Sequence, residues 1–258
     1  MNSQNIHKKK LHFLNAQDLQ LVGELIEAKT ENKHWALFAN CFTCSKNAKA
    51  TQWISRTLAE LGISVFTFDF RGLGESEGDF SKTTLSTMQE DYLAAVEAMR
   101  RHFCAPQLLI GHSIGGVISL QMASQVSEAK AVVTLATAAS FREVVSRLKK
   151  QLPQFKNQES GEIEWGGERF PIRKTLIESL QNTDILESAS ALKLPLLAIH
   201  SIRDEILGFQ NAQDIFEAAS GPKSLVGLLQ ADHLFLNRLD AQYAAKVIKA
   251  WGKAYLSS

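Results

Sequence analysis

The stretch LLIGHSIGGVISL, from Leu108 to Leu120, decides the fold. An apolar run ends in a glycine, a histidine and Ser113 follow, and a pair of glycines leads into a second apolar run that favours a helix. Glycines on both sides of the serine remove the Cβ atoms that would clash in a sharp turn from strand to helix. The pattern predicts Ser113 at the apex of that turn with an exposed hydroxyl. The amide of Ile114 would then face an oxyanion that forms on an attacked carbonyl.

Short apolar runs alternate with longer helical patterns on both sides of this turn. The strands predicted from these runs are 10–15, 21–28, 35–40, 65–70, 108–112, 131–137, 195–201 and 223–229. The predicted helices are 48–61, 85–103, 114–126, 174–186, 211–219 and 240–256. Such alternation predicts the α/β class, with a mostly parallel eight-stranded sheet and helices on both faces.

The segment 138–191 has a different, charged composition. Its Gly-Gly turn, inside EIEWGGERF from Glu162 to Phe170, predicts a hairpin between alternating residues. We expect 1–137 and 192–258 to form the core. We expect 138–191 to be a cap, or lid, inserted after the sixth strand over the carboxyl ends of the strands, where such sheets bind ligands.

A serine nucleophile needs a base and a carboxylate that orients the base. His233 follows the strand that ends at 229, and Asp204 follows the strand that ends at 201, so both fall at the same sheet edge as Ser113. The order Ser, Asp, His is the one found in this type of sheet. Glu205 is the alternative carboxylate, and His200 is expected to be a packed, hydrogen-bonded residue.

The second oxyanion donor is expected from the loop after the third strand, NCFTCSKN at 40–47. By position, the amide of Phe42 is the candidate. The same loop holds Cys41 and Cys44, whose spacing is that of a redox pair or half a zinc site. Because no second cysteine pair follows, a structural role is favoured, and we expect neither a metal nor an organic cofactor.

The composition argues against several classes of protein. The formal net charge is +1, from 28 basic and 27 acidic residues, which gives no nucleic-acid footprint. No apolar run approaches the length of a membrane span, and no signal peptide is visible. An odd number of cysteines without a signal peptide favours a reducing compartment, so we expect a cytoplasmic protein.

Together these residues resemble the α/β-hydrolase superfamily over nearly the whole chain. DFRGLGES, from Asp69 to Ser76, is similar to a loop common in that family, and Arg71 within it is expected to anchor the loop through an ion pair. FTCSK, the DFRGLGESEG loop and EIEWGGERFPI resemble, more narrowly, a bacterial branch in which a hydrolase domain precedes an OsmC-like domain. The chain ends at Ser258, after its last predicted helix, so we expect no such domain here.

The resemblance implies a serine hydrolase that cleaves small or medium acyl esters through Ser113, His233 and Asp204. The expected partner is a small-molecule ester, and the oligomeric state stays open. A thioesterase or a perhydrolase with the same triad is the alternative. Asn40 stands where this branch has histidine, which favours another alternative, a non-catalytic ligand receptor. A redox protein that works through its cysteine pair is a third possibility.

Overall fold

The computed structural model describes residues 7–30, 34–156, 158–165 and 167–256. Its strands are β1 His7–Leu14, β2 Gln20–Glu27, β3 His34–Ala39, β4 Ile63–Phe68, β5 Leu108–His112, β6 Ala131–Leu135, β7 Ser160–Trp165, β8 Glu168–Arg173, β9 Leu196–Ser201 and β10 Lys223–Leu228. Its α-helices are α1 Lys49–Glu60, α2 Leu85–His102, α3 Ile114–Met122, α4 Arg142–Gln151, α5 Lys174–Gln181, α6 Ile185–Ala191, α7 Gln210–Ala218 and α8 Arg238–Leu256. Short 3₁₀ turns lie at Phe80–Lys82, Ala123–Gln125 and Pro153–Lys156.

Eight strands form one sheet in the order β1-β2-β4-β3-β5-β6-β9-β10. β2 runs antiparallel to both of its neighbours, β1 and β4, and the other strands of this sheet, β3 to β6, β9 and β10, run parallel to one another. The prediction of a mostly parallel eight-stranded α/β sheet is therefore confirmed. The central parallel strands, β3 to β6 and β9, are nearly continuous hydrophobic runs because both faces of the sheet are covered there.

Each face of the sheet has its own apolar cluster. In β3, Leu37 and Ala39 point into one cluster, and Ala36 and Phe38 point into the other. Helices α1 and α8 cover the second face, while α2, α3 and α7 cover the first. α8 has its buried residues at helical spacing, which explains why it packs flat against the sheet and α1.

The chain between β6 and β9 holds α4, the β7–β8 hairpin, α5 and α6. The predicted hairpin is present, although Gly166 of its turn lies outside the described residues. The predicted single helix at 174–186 is wrong, because Asp184 starts a second helix by accepting a hydrogen bond from the amide of Glu187. α4 is not predicted from the sequence, and it buries only Val145 and Leu148.

The parallel strands end at one edge of the sheet, and the loops after β3, β5, β9 and β10 meet there. β5 lies between β3 and β6, at the centre of the sheet. The turn after β5 is therefore flanked by the loop after β3 on one side and by the loops after β9 and β10 on the other. This arrangement brings distant parts of the sequence to one site.

Candidate active site

Ser113 forms the turn between β5 and α3, as the glycine pattern predicts. Its backbone has φ +55° and ψ −119°, a conformation that L-residues rarely adopt and that costs about 1–3 kcal/mol. Its amide donates a 2.8 Å hydrogen bond to the carbonyl of Leu135 in the neighbouring strand. The serine side chain is half-buried at the sheet edge. The surrounding fold thus holds a strained residue at the point where a nucleophile would be needed.

The glycines of the turn are required by close backbone packing. A Cβ on Gly111 would overlap the carbonyl of Gly115, and a Cβ on Gly115 would overlap the carbonyls of Ala39 and Asn40. The first turn of α3 therefore lies directly against the end of β3. This contact places Ser113 beside the loop that follows β3.

Asp204 and His233 meet at the same edge. The Nδ1 atom of His233 lies 2.7 Å from Oδ2 of Asp204. The other oxygen, Oδ1, accepts the amides of Ile206 at 2.9 Å and Leu207 at 2.8 Å. Glu205, the alternative carboxylate, is exposed. Of the two acidic residues, Asp204 is the one bonded to His233.

The environment of Asp204 favours its charged form. Burial alone would raise the pKa of this carboxyl. Hydrogen bonds from His200 and His233 outweigh burial, so the pKa of Asp204 lies well below its usual range. The carboxylate therefore stays ionised wherever the protein is folded near neutral pH.

His112 connects the turn to the His233 loop, a contact that the sequence analysis misses. Its Nε2 donates a 2.8 Å hydrogen bond to the backbone carbonyl of His233, and the two rings are 5.5 Å apart between centroids. Burial, followed by the nearby His233, lowers the pKa of His112 to about 3. The only signal in the sequence is the position of His112 directly before Ser113.

The two candidate oxyanion donors are the amides of Phe42 and Ile114. Ile114 is the first residue of α3, where the amides of a helix have no partner within the helix. Within the described ranges, neither amide donates a hydrogen bond to another protein group. Both are thus free to bind a negatively charged oxygen at the sheet edge.

Asn40 fixes the start of the 40–47 loop. Its side-chain amide donates to the carbonyl of Phe68 at 2.8 Å and to the hydroxyl of Thr67 at 3.2 Å. Its carbonyl oxygen accepts the hydroxyl of Thr51 at 2.7 Å. The side chain is fully buried, and every contact holds the loop to β4 and α1.

Lys46 fixes the other end of the loop. Its ammonium lies 2.6 Å from Asp69 and 2.9 Å from Glu75, while only 1% of its side chain is exposed. Asp69 also accepts the Glu75 amide at 3.0 Å. A buried charge pair of this kind is strongly destabilising to break, so the loop is held firmly at both ends.

Cys41 and Cys44 form a disulfide inside this loop, with their Cα atoms 5.1 Å apart. Cys104 is a free, exposed cysteine. Among the residues that the structure describes, no group of three or more His, Cys, Asp or Glu is arranged to hold a metal ion.

Four aromatic rings join the β7–β8 hairpin to the 40–47 loop. The ring of Phe42 lies 5.4 Å from that of Phe80 and 6.1 Å from that of Trp165. Phe170, on β8, lies 5.3 Å from Phe80. The inserted hairpin therefore packs directly on the residue whose amide is a candidate donor.

Arg71 anchors the 69–76 loop by an ion pair, as predicted. Its guanidinium lies 2.6 Å from Asp91 and 3.0 Å from Glu90, and the side chain is buried. Both carboxylates belong to α2, so Arg71 links the loop to that helix. In the part of the chain that the structure describes, no helix is long and apolar enough to cross a bilayer.

Comparisons with known proteins agree with this fold. The Hydrolase_4 family model, described as serine aminopeptidase, S33, matches residues 44–163. The esterase domain of a Rhodothermus marinus protein is 34% identical, covers 97% of this chain and all of its own, and has a TM-score of 0.77. Palmitoyl-protein thioesterase ABHD10 of Homo sapiens is 23% identical over 244 residues, which are 91% of this chain and 78% of that protein.

A more distant structure shows the same fold. Est1E from Butyrivibrio proteoclasticus, solved with ferulic acid bound, is 19% identical with a TM-score of 0.81, covering 95% of this chain and 99% of its own. Placement in the branch linked to OsmC-like domains stays a prediction. The sheet order and the strained turn at Ser113 agree with the similarity to the Rhodothermus marinus esterase domain, which extends over nearly the whole chain. We conclude that this chain belongs to the α/β-hydrolase family and is a hydrolase.

Proposed function

We propose that this chain is a serine esterase that cleaves small or medium carboxylic esters through an acyl-enzyme. The observation that carries the proposal is the 2.7 Å hydrogen bond between His233 and Asp204, at the sheet edge that also holds the strained Ser113. In this proposal Ser113 is the nucleophile, His233 the general base and Asp204 the orienting carboxylate.

The bond between His233 and Asp204 defines which nitrogen reacts. Because Nδ1 carries the hydrogen that faces the carboxylate, Nε2 has a free lone pair. Nε2 takes the proton as the Ser113 hydroxyl attacks the carbonyl carbon, and then gives it to the leaving alcohol. Water, activated by the same nitrogen, then releases the acid from Ser113.

The amides of Phe42 and Ile114 would bind the oxyanion of each tetrahedral intermediate. One such donor is typically worth about 10²–10³ in kcat. The donors are backbone groups, so the replacement of histidine by Asn40 leaves them in place. Apart from the ester and water, all of these steps use groups of the chain itself.

The inserted segment 138–191 is proposed to act as a cap. The contact of Trp165 with Phe42 supports this role, because it places an aromatic side chain of the inserted segment against the 40–47 loop. A wall of aromatic rings suits an apolar acyl group better than a charged one. Helices α2 and α3, which contact α5 and α6 of the insertion, would then form the surface on which the cap rests.

A thioester is the closest alternative substrate. The relatives named palmitoyl-protein thioesterase support it, and the same three residues would carry out the reaction. A perhydrolase with this triad remains an alternative. Cytoplasmic localisation remains a prediction; the Homo sapiens relative is named mitochondrial.

The test is hydrolysis of p-nitrophenyl esters from acetate to dodecanoate by the wild type and by Ser113→Ala. We expect kcat to fall by about 10⁴-fold or more in the variant, because the residues of a triad act as one unit. The matched control is Ser124→Ala, which removes an exposed serine in the 3₁₀ turn after α3 and should keep full activity.

A fluorophosphonate probe separates the enzyme from the receptor. Labelling of the wild type and of Ser124→Ala, but not of Ser113→Ala, would support the proposal. If the wild type neither turns over an ester nor reacts with the probe, the proposal fails and the non-catalytic receptor takes its place. Rates on matched thioesters and oxygen esters then decide between thioesterase and esterase.

A further inference from the structure

His200 lies beneath the candidate triad and is not one of its members. It is the fifth residue of β9 and is fully buried. Its ring packs edge-on against Phe209, with centroids 6.2 Å apart. Its Nε2 lies 2.7 Å from the carbonyl of Leu207 and 3.2 Å from Oδ2 of Asp204.

The contacts of His200 assign its hydrogen. A carbonyl oxygen only accepts hydrogen bonds, so the nitrogen next to Leu207 must carry the hydrogen. The other nitrogen, Nδ1, is buried and has no partner among the described residues. A second hydrogen there would be a buried donor without an acceptor, which is costly. His200 therefore carries one hydrogen, on Nε2, shared between Leu207 and Asp204.

These bonds form a closed ring around the carboxylate. Oδ1 of Asp204 accepts the amide of Leu207 at 2.8 Å, and the carbonyl of the same Leu207 accepts Nε2 of His200. That nitrogen returns to Oδ2, the oxygen that also accepts Nδ1 of His233. Rotation of the carboxylate would break a contact on each side. The ring thus holds Oδ2 pointing at His233.

We propose that His200 is a positioning residue for the Asp204–His233 pair. This inference rests on the proposed serine hydrolase function, since it assigns His200 a task in the same reaction. By fixing Oδ2, His200 keeps the ring of His233 in one orientation. By sharing its hydrogen with Oδ2, it also reduces the negative charge that this oxygen offers to a protonated His233.

The reduced negative charge on Oδ2 of Asp204 predicts a change in the pH dependence of activity when His200 is replaced. The imidazolium of His233 is stabilised by the charge on Oδ2, so removing the second donor should let His233 hold its proton to higher pH. Two further titratable groups face the Asp204–His233 pair: His112 from β5 and His200 from β9. The charged neighbours in the chain, Arg203, Glu205 and Asp232, are exposed.

The experiment compares His200→Leu with His200→Gln. Leucine has a similar volume but no donor, whereas the amide nitrogen of glutamine can reach the position of Nε2 and donate there. For His200→Leu we expect kcat to fall by about tenfold with KM changed by less than about twofold. The acid limb of kcat/KM should move up by roughly half a pH unit or more. For His200→Gln we expect kcat within about twofold of the wild type and an acid limb within a few tenths of a pH unit of it.

A spectroscopic signature accompanies the kinetics. The hydrogen between His233 and Asp204 gives a downfield proton resonance that reports the strength of that bond, and we expect it to shift in His200→Leu but not in His200→Gln. Circular dichroism and the melting temperature establish that each variant is folded. If His200→Leu does not fold, His200→Asn provides a shorter donor. Its kcat and acid limb should lie between those of the wild type and those expected for His200→Leu.

A folded His200→Leu with an unchanged acid limb, kcat and resonance would overturn the inference. A lowered melting temperature with all three unchanged would show that His200 supports only the fold, and would also overturn it. Failure of the proposed function gives a different result, in which Ser113→Ala keeps the activity of the wild type. The two failures are therefore distinguishable.

Discussion

His112 is the residue that ties the two halves of the candidate site together. Ser113 follows it in the chain, and its Nε2 holds the backbone of His233. It is almost fully buried, and burial is the main reason why its pKa lies at about 3. Ser113 and His233 are thus connected through a single imidazole that stays neutral in the folded protein above about pH 3.

The lowered pKa of His112 predicts a loss of stability in mild acid. The unfolded chain binds a proton at this residue below about pH 6.5, whereas the folded chain binds it only near pH 3. The free energy of unfolding should therefore fall as the pH falls, by about 1.4 kcal/mol per pH unit from this residue. At pH 5 the loss is about 2 kcal/mol relative to pH 7.

Urea unfolding of the wild type and of His112→Gln at pH 7 and pH 5 measures this effect. Glutamine can donate to the His233 carbonyl but does not titrate, so its pH-dependent loss should be smaller by about 2 kcal/mol. Equal losses in the two proteins would show that His112 is not responsible.

At the scale of elements, the 40–47 loop is a short segment held at its two ends. Asn40 secures it to β4 and α1, and Lys46 secures it to Asp69. The disulfide between Cys41 and Cys44 closes the loop from within. A loop constrained in this way keeps the amide of Phe42 in one orientation, which is what pre-organised oxyanion binding requires.

Replacing Asn40 by alanine should therefore impair the loop more than the fold. The variant leaves the carbonyl of Phe68 and the hydroxyl of Thr51 without this partner and should cost about 2–3 kcal/mol of stability. We expect kcat on p-nitrophenyl acetate to fall about 10–100-fold with little change in KM. Asn47→Ala, at an exposed position of the same loop, is the control. A folded Asn40→Ala with the kcat of the wild type would show that Asn40 does not position the donor.

Local patterns predict the core elements of this chain, and the errors have physical causes. The central strands follow from apolar runs, because a strand that is buried on both faces consists mainly of apolar residues. The helix α4 is missed because charged residues dominate it and only two of its side chains are buried. The break before α6 is missed because it depends on one capping side chain, Asp184.

The candidate site divides in the same way. Ser113, Asp204 and His233 are predictable because each follows a strand that ends at one edge. The partners of Asn40 and the ring of bonds through His200 are not, because they join residues that are near only in the folded chain. The roles of the candidate residues remain predictions that the proposed substitutions test.

At the scale of the whole molecule, a layered core carries an inserted segment on one side. The core contributes the sheet edge, and the hairpin of the insertion meets it at Phe42 and Phe80. α6 returns to the core and packs against α3 and α7. The hairpin therefore lies directly beside the 40–47 loop.

This placement predicts that Trp165 limits the length of the acyl group. Trp165→Ala removes a half-buried ring next to Phe42 and leaves space there. We expect kcat/KM for dodecanoate relative to butyrate esters to rise by roughly tenfold, since a few methylene groups in an apolar pocket are worth that much.

The ester series measures the preference, and Glu164→Ala is the matched control. Glu164 is the neighbouring, exposed residue of β7, and its truncation should leave the preference of the wild type. An unchanged preference in Trp165→Ala would place the acyl group elsewhere.

The contact between Gly115 and the end of β3 also limits how this protein can change. No side chain fits between the first turn of α3 and the carbonyls of Ala39 and Asn40. A library randomised at positions 111 and 115 should therefore yield almost exclusively glycine among functional clones. The hairpin has no such restriction at Trp165. New substrate ranges, whether selected in the laboratory or in nature, would arise from the insertion while the turn stays constant.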